Sequence, residues 1–367
     1  MESPQNRSVS LRDGRVFHAD VLRVVAMLAV VTIHLTPQLM RSYDNLPLWQ
    51  WLAADVANAL TRWCVPVFVM LSGAFLLDPS RDGGAGKFLR RQVPRVLIPT
   101  LFWSAFYLYD RWVGVGRPSG EGVKMALDGL LSGVPTPHLY FPYLILGLYL
   151  LTPPLRLFVR TATPRDMAYA IGLCLGVAML TRGLSILGLV GTGESVFTQF
   201  IPYIGYYLAG FFLKDLSLSA RQRSGLYILL LMAMGVAAVA TAHLVPRFGA
   251  GGRGTYFFQY LSPTVVVMSL CVFGLFVTSP LLRDDGPVPM GFRRFIFGVA
   301  SPASFGVYLI HPLVIRHVGK ELQVRPTGFD SWGGPWVGIP LTLVLVVALS
   351  TTLVWGVQRV PYLRRLL

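Results

Sequence analysis

Long apolar runs, separated by short polar stretches, recur along the whole chain. Ten of them approach the length of a helix that crosses a bilayer, which is about 20 residues. We expect these spans near 20–39, 56–77, 96–113, 139–158, 167–187, 197–213, 225–245, 257–279, 298–316 and 335–357. A helix satisfies its own backbone hydrogen bonds inside lipid. The pattern therefore predicts an all-α fold, a polytopic transmembrane bundle of about ten helices.

The connections between these runs leave no room for a separate soluble domain. We predict an N-terminal tail over 1–18, a transmembrane domain over 19–358 and a basic C-terminal tail over 359–367. An even number of spans places both termini on one side of the membrane. That side carries about twice as many lysine and arginine residues as the other. Because positive residues favour the cytoplasmic side, we expect both termini to be cytoplasmic.

Composition supports a membrane protein over a large soluble enzyme with buried helices. Apolar residues make up 54% of the chain and charged residues only 13%, where soluble proteins carry about 25% charge. The net charge of +15 would suggest nucleic acid as the partner of a soluble protein. Here we expect no nucleic-acid partner, because the same charge orients loops and holds anionic lipid headgroups or a polyphosphate cofactor. The three cysteines lie inside apolar runs, without the spacing of a disulfide framework or a zinc site.

The first span carries three ionisable residues, Asp20, Arg23 and His34. At about 100° per residue, Arg23 and His34 lie about 20° apart around the helix, and Asp20 lies about 60° from Arg23. Ionisable residues inside a membrane span are costly and point to function. We therefore predict a functional face on this helix, with a plain intramembrane ion pair between Asp20 and Arg23 as the structural alternative.

The second span opens with Asp55, Asn58 and Arg62, whose spacing also places them on one face. Two interpretations of Arg62 remain open. Its long side chain is able to reach the interface, as lysine and arginine do near helix ends. Alternatively, it lines a substrate pocket.

A basic cluster lies just before the third span, at Lys87, Arg90, Arg91 and Arg95. Such a run is sufficient by itself as an orientation signal on the cytoplasmic side. Guanidinium groups also pair bidentately with phosphate oxygens. The cluster therefore has a second interpretation as a phosphate clamp that binds a cofactor.

Two later positions are candidates for substrate binding. Tyr140 lies at the mouth of the fourth span, where an aromatic residue is also typical of interfacial anchoring. His311, in the ninth span, is followed by Pro312. Proline loosens the helix near that histidine and frees backbone carbonyls, so we consider His311 for a functional role beside the structural one.

Four stretches together resemble the membrane acyltransferase-3 family. They read DVLRVVAMLAVVTIH, RWCVPVFVMLSGAFLL, HLYFPYLILGLYLLTPPL and FGVYLIHPLV. The most specific match is Arg23 followed by His34 in the first span. Two positions depart from the family pattern: Gln92 stands where the first arginine of an Arg-x-x-Arg pair would fall, and Tyr140 replaces a tryptophan.

The resemblance implies a ten-helix acyltransferase of a bacterial-type cytoplasmic (inner) membrane. Its donor would be acetyl-CoA or another acyl-CoA from the cytoplasm, and no metal is implied. Its acceptor would be a hydroxyl group of a cell-surface polysaccharide or lipid-linked glycan. His34 is the candidate general base or acyl carrier, since a sugar hydroxyl needs a base in contact near neutral pH. Arg23 and the basic cluster lie towards the cytoplasm, where CoA phosphates would bind, with Asp20 orienting Arg23.

Two other classes of function remain open at this point. A transporter or flippase of a lipid-linked glycan or acyl group would also place polar residues in the middle of a ten-helix bundle. It would move an unmodified substrate and consume no thioester, and inverted repeats would favour it. In a membrane sensor or scaffold, the charges of the first span would serve packing alone.

Overall fold

The computed structural model describes residues 16–81, 84–115, 128, 138–191, 195–283, 286–321 and 333–367. Within these residues the chain is helical and contains no strand. The first half consists of helices α1 (Phe17–Leu35), α2 (Pro37–Arg41), α3 (Leu48–Thr61), α4 (Cys64–Leu76), α5 (Ala85–Val115), α6 (Tyr140–Thr161) and α7 (Pro164–Ile186). The second half consists of α8 (Ile204–Leu213), α9 (Ala220–Phe248), α10 (Pro263–Val277), α11 (Met290–Phe295), α12 (Ser301–Lys320) and α13 (Pro335–Gln358). The all-α prediction is confirmed.

Eight helical segments of the described chain are long and apolar enough to cross a membrane. Four of them are composite segments built from consecutive helices: Phe17–Arg41, Leu48–Leu76, Tyr256–Val277 and Met290–Lys320. A ninth apolar segment, Ile201–Leu213, is shorter. The predicted third span, 96–113, lies within α5. Eight such segments suggest a multi-pass membrane protein, while the count of ten and the sides of the termini stay predictions.

Helix α1 lies at the centre of the bundle. It packs against α3, α4, α10, α12 and α13, and most of its side chains are buried on every face. A helix that is apolar all round is favoured in such an enclosed position. Two contacts, Arg23 with Ser301 and His34 with His311, show that α1 and α12 run in the same direction.

Glycines allow α4 and α8 to cross at backbone contact. A Cβ atom on Gly73 would overlap the carbonyl group of Tyr207, and one on Gly210 would overlap the carbonyl group of Met70. Small residues serve this purpose in membrane helices, where close packing replaces the hydrophobic effect as the main attraction. The crossing fixes α4 against the second half of the chain.

The second predicted span is interrupted between α3 and α4. Proline at position 66 lacks an N–H group, so the carbonyl group of Arg62 loses its helical donor. Helix α3 ends at Thr61, and α4 begins at Cys64. The interruption places Arg62 at a turn inside the bundle rather than within a continuous helix.

The predicted terminal tails are described in part. Residues 1–15 lie outside the described residues, and α1 already begins at Phe17. At the other end, Leu363–Leu366 form a short 3₁₀ helix. The indole Nε1 of Trp103 on α5 donates a hydrogen bond of 2.8 Å to the carbonyl oxygen of Leu366. The C-terminal tail is therefore packed against the bundle.

Candidate active site

Asp20 and Arg23 form an ion pair on α1 that extends to Ser301 at the start of α12. The Ser301 hydroxyl donates to Asp20 Oδ1 at 2.5 Å, and Arg23 Nη1 donates to the Ser301 oxygen at 3.0 Å. The Asp20 side chain is 5% exposed, whereas the Arg23 side chain is 32% exposed. A buried carboxylate needs such partners to offset its lost hydration. The network holds the partly exposed guanidinium in one orientation.

The backbone just before Ser301 departs from regular α-helix. Residues 296–300 form a π-helical segment between α11 and α12. Such segments insert an extra residue into a helix and recur at functional sites. Here the segment lies directly before the serine that reaches Asp20.

A cavity of about 380 Å³ brings Arg23 together with Arg95 of α5. The lining also contains aromatic rings, among them Tyr149 of α6 and Tyr308 of α12. Tyr308 lies seven residues beyond Ser301, which is about 10 Å along the helix axis. The cavity therefore joins two arginine side chains to the part of α12 that carries His311.

Three histidine rings meet near the end of α1. The ring centre of His34 lies 4.9 Å from that of His311 and 6.3 Å from that of His138, and the latter two are 5.9 Å apart. His34 is in the last turn of α1, His311 is on α12, and His138 precedes α6. His311 is 0% exposed, His138 is 4% exposed, and His34 is partly exposed. In the described part of the chain, no three histidine, cysteine or carboxylate side chains are arranged to hold a metal ion.

Arg62 provides the positive charge beside this cluster. Its Nη2 donates to Asn58 Oδ1 at 2.6 Å, and Asn58 Nδ2 donates to Thr36 Oγ1 at 2.7 Å. Thr36 follows α1 two residues after His34, so these bonds tie Arg62 to the end of that helix. The guanidinium carbon lies 5.4 Å from the centre of the Phe258 ring. Arg62 is thus hydrogen-bonded through Asn58 to the end of α1, and its role in the site stays a prediction.

Tyrosines on α6 and α12 neighbour His138, along the chain or through a hydrogen bond. The ring of Tyr140 on α6 stacks on that of Tyr260, with 6.3 Å between ring centres. The Tyr140 hydroxyl is shielded from solvent. The Tyr308 hydroxyl donates a hydrogen bond to the carbonyl oxygen of His138, which links α12 to the start of α6.

Comparison with known proteins decides the family. The family described as an acyltransferase domain, acyltransferase-3, matches residues 18–355, nearly the whole chain. The chain belongs to the acyltransferase-3 family. The site described above therefore lies in an acyltransferase domain, which acts between an acyl donor and an acceptor.

A curated relative of this acyltransferase-3 chain is the serine/alanine racemase of Enterococcus gallinarum. The two are 26% identical over 327 residues, which cover 85% of this chain and 39% of the racemase. The chain thus spans well under half the length of that relative. No solved structure matches the chain.

The site residues predicted from the sequence of this acyltransferase-3 chain lie in two regions of the structure. Asp20, Arg23 and His34 all face α12, through Ser301 or His311. Arg62 is linked through Asn58 to Thr36, two residues after His34, and Tyr140 begins α6 two residues after His138. The functional roles predicted for these residues stay predictions.

The four residues of the basic cluster are not all at the cavity in the structure. Arg95 lines the cavity with Arg23. Lys87, Arg90 and Arg91 are exposed on the first turns of α5 and are not among the described residues that line it. The phosphate clamp therefore stays a prediction, with Arg95 its member in contact with the cavity.

Sequence reasoning did not assign His138 or Ser301 to the site. In the sequence, His138 is a residue at the start of the fourth predicted span, and Ser301 is one of several serines in the ninth. Neither position indicates a site by itself. Their contacts depend on α12 lying beside α1 and α6. The one local signal was the costly Asp20–Arg23 pair, which required a further polar partner.

Proposed function

We propose that the chain is an integral-membrane O-acyltransferase of a bacterial-type cytoplasmic membrane. It moves an acyl group, acetyl in our proposal, from cytoplasmic acetyl-CoA to a hydroxyl of a cell-surface polysaccharide or lipid-linked glycan. The observation that carries the proposal is the cavity lined by Arg23, Arg95 and Tyr308. The centre of the Tyr308 ring lies 6.0 Å from that of His311, one of the three clustered histidines. An anionic donor with a reactive group at the end of a long arm fits this arrangement.

The arginine end of the cavity is suited to the phosphates of CoA. Arg23 is held by Asp20 and Ser301, and Arg95 enters the same cavity from α5. Lys87, Arg90 and Arg91 lie on the preceding turns of α5, where they raise the local positive charge. Guanidinium groups bind phosphate in fixed, bidentate geometry. The same residues also serve as a cytoplasmic orientation signal beside anionic headgroups.

The histidine end is suited to the chemical step. The acceptor oxygen forms a bond to the acyl carbon, and the carbon–sulfur bond of the thioester breaks. In direct transfer, His34 takes the hydroxyl proton, which passes to the departing sulfur to give free CoA thiol. In the alternative, His34 first accepts the acyl group and then yields it to the hydroxyl oxygen.

Arg62, Tyr140 and His311 complete the acceptor end of the site. The positive charge of Arg62 beside His34 suits the negative charge that develops on the thioester oxygen. The stacked Tyr140 provides a flat face for a sugar ring, with a hydroxyl for hydrogen bonding. His311 borders His34 directly.

Transfer of label tests the proposal against transport. Purified protein in proteoliposomes receives acetyl-CoA labelled in the acetyl group, together with glycan extracted from the producing membrane. Acyl transfer predicts label in the glycan and free CoA in equal amounts. A transporter or flippase predicts movement of unmodified glycan with the thioester intact, and that result would overturn the proposal.

A further inference from the structure

Pro312 leaves one backbone carbonyl of α12 without its helical donor. In a regular helix the N–H group of residue 312 would bond to the carbonyl oxygen of Tyr308, but proline has no N–H group. His311 Nδ1 lies 2.7 Å from that oxygen and 3.2 Å from the carbonyl oxygen of Val307. A carbonyl oxygen only accepts hydrogen bonds. Both contacts therefore place a proton on His311 Nδ1.

The proton on Nδ1 determines what the other ring nitrogen can do. In a neutral imidazole, one nitrogen is a donor and the other is an acceptor, and the hydrogen bond of the first fixes the role of the second. His311 Nε2 is consequently the acceptor. This nitrogen is shielded from solvent and has no hydrogen-bond partner among the described residues.

The free acceptor nitrogen belongs to the ring nearest to His34 in the histidine cluster. Ring centres 4.9 Å apart bring the edges of the two imidazoles close together. A base that gains a proton during catalysis is commonly held and oriented by a third group that accepts its second N–H. A buried imidazole with an acceptor nitrogen is chemically able to do this.

We propose that Pro312 and His311 act as positioning residues for His34 in the acyl transfer proposed above, on which this inference rests. Pro312 frees the Tyr308 carbonyl, which holds His311 as the Nδ1–H tautomer. His311 Nε2 has no partner among the residues that this structure describes. During the reaction it accepts a hydrogen bond from the ring N–H of His34, as the other His34 nitrogen takes the proton of the acceptor hydroxyl. The two histidines gain no net proton over the reaction, because the proton taken from the acceptor hydroxyl leaves with the CoA thiol.

Histidine tautomers are measured directly by nitrogen NMR of ¹⁵N-histidine-labelled protein in lipid nanodiscs. The His311 signals are assigned by their absence in His311→Asn, whose amide keeps a donor near Nδ1 but has no acceptor at the Nε2 position. The parent protein is expected to show His311 protonated at Nδ1 and unprotonated at Nε2. A His311 ring protonated at Nε2 would overturn the proposal, whether or not the protein transfers acyl groups.

Pro312→Ala restores the backbone N–H group that competes for the Tyr308 carbonyl. We expect the His311 Nδ1–H signal to weaken and kcat to fall about 10-fold, with the KM for acetyl-CoA unchanged. Pro340→Ala, at an exposed proline inside α13, is the matched control and should alter neither quantity. Retention of the parental tautomer and kcat in Pro312→Ala would overturn the role of the proline.

His311 variants test the same point if Pro312→Ala does not fold. His311→Asn is expected to lower kcat about 100-fold. His311→Gln, which places an amide oxygen near the Nε2 position, should recover part of that loss. Equal activity of both variants and the parent would overturn the role of His311. Absence of acyl transfer in the parent itself would overturn the proposed function and leave the tautomer measurement standing.

Discussion

The rings of His34 and His311 lie 4.9 Å apart, although they come from the first and twelfth helices of the chain. About three helical turns before them on each helix, Arg23 donates to Ser301 across the same pair of helices. These two contacts align the proposed donor-binding and reacting ends of the site along one interface. The site therefore exists only when α1 and α12 are packed together.

Arg95 distinguishes a phosphate clamp from an orientation signal. If its side chain binds CoA phosphate in the cavity it lines, Arg95→Gln should raise the KM for acetyl-CoA about 10-fold, the effect of one charge-assisted hydrogen bond. The kcat should change little, because the phosphates are remote from the reacting carbon. Arg221→Gln, at an exposed arginine on the first turn of α9, is the control. Equal KM values for both variants would favour the orientation signal alone.

Ser301 should affect the binding of acetyl-CoA, because its hydroxyl holds Arg23 in place. Ser301→Ala removes the hydroxyl between Asp20 and Arg23, so we expect a several-fold higher KM for acetyl-CoA and a loss of about 1–3 kcal/mol in stability. Ser301→Thr keeps the hydroxyl and should restore the KM. Ser269→Ala, the control, removes another buried hydroxyl, which donates to the Val265 carbonyl on α10. A KM that rises equally in the Ser269 variant would contradict the account.

The crossing of α4 and α8 should tolerate no side chain at Gly73. Gly73→Ala places a methyl group on the Tyr207 carbonyl, and we expect a loss of about 1–3 kcal/mol or more from overpacking. The measurement is the thermal unfolding midpoint of the detergent-solubilised protein. Gly235→Ala on α9 is the control, because no atom lies within 4 Å of the added carbon. An unchanged midpoint in Gly73→Ala would show that the helices are able to separate there without cost.

Local features of the site could be predicted from sequence, because they depend on spacing within one helix. Residues three apart on a helix are neighbours, which is why the Asp20–Arg23 pair was expected. The length of the apolar runs likewise predicted the helices, since each run approached the length of a span. The break at Arg62 was not predicted, because the second span was expected to be continuous over 56–77, but Pro66 supplies a local cause for it.

The remaining contacts depend on which helices pack together, and a single sequence does not specify that. The rings of His34, His138 and His311 come close together only if α1, α12 and the start of α6 pack against one another. Ser301 is an ordinary helix serine until it meets Asp20. The division of the basic cluster has the same origin, because only the turn of α5 that carries Arg95 reaches the cavity beside Arg23.

The central claim is that His34 performs acyl transfer, and one measurement tests it most directly. The rate of labelled acetyl transfer from acetyl-CoA to glycan is compared in proteoliposomes among the parent, His34→Ala and His243→Ala. His243 is exposed on α9, with its ring bonded within its own helix. We predict that His34→Ala is folded and slower by about 100-fold or more, whereas His243→Ala matches the parent. Parental transfer by folded His34→Ala would contradict the account.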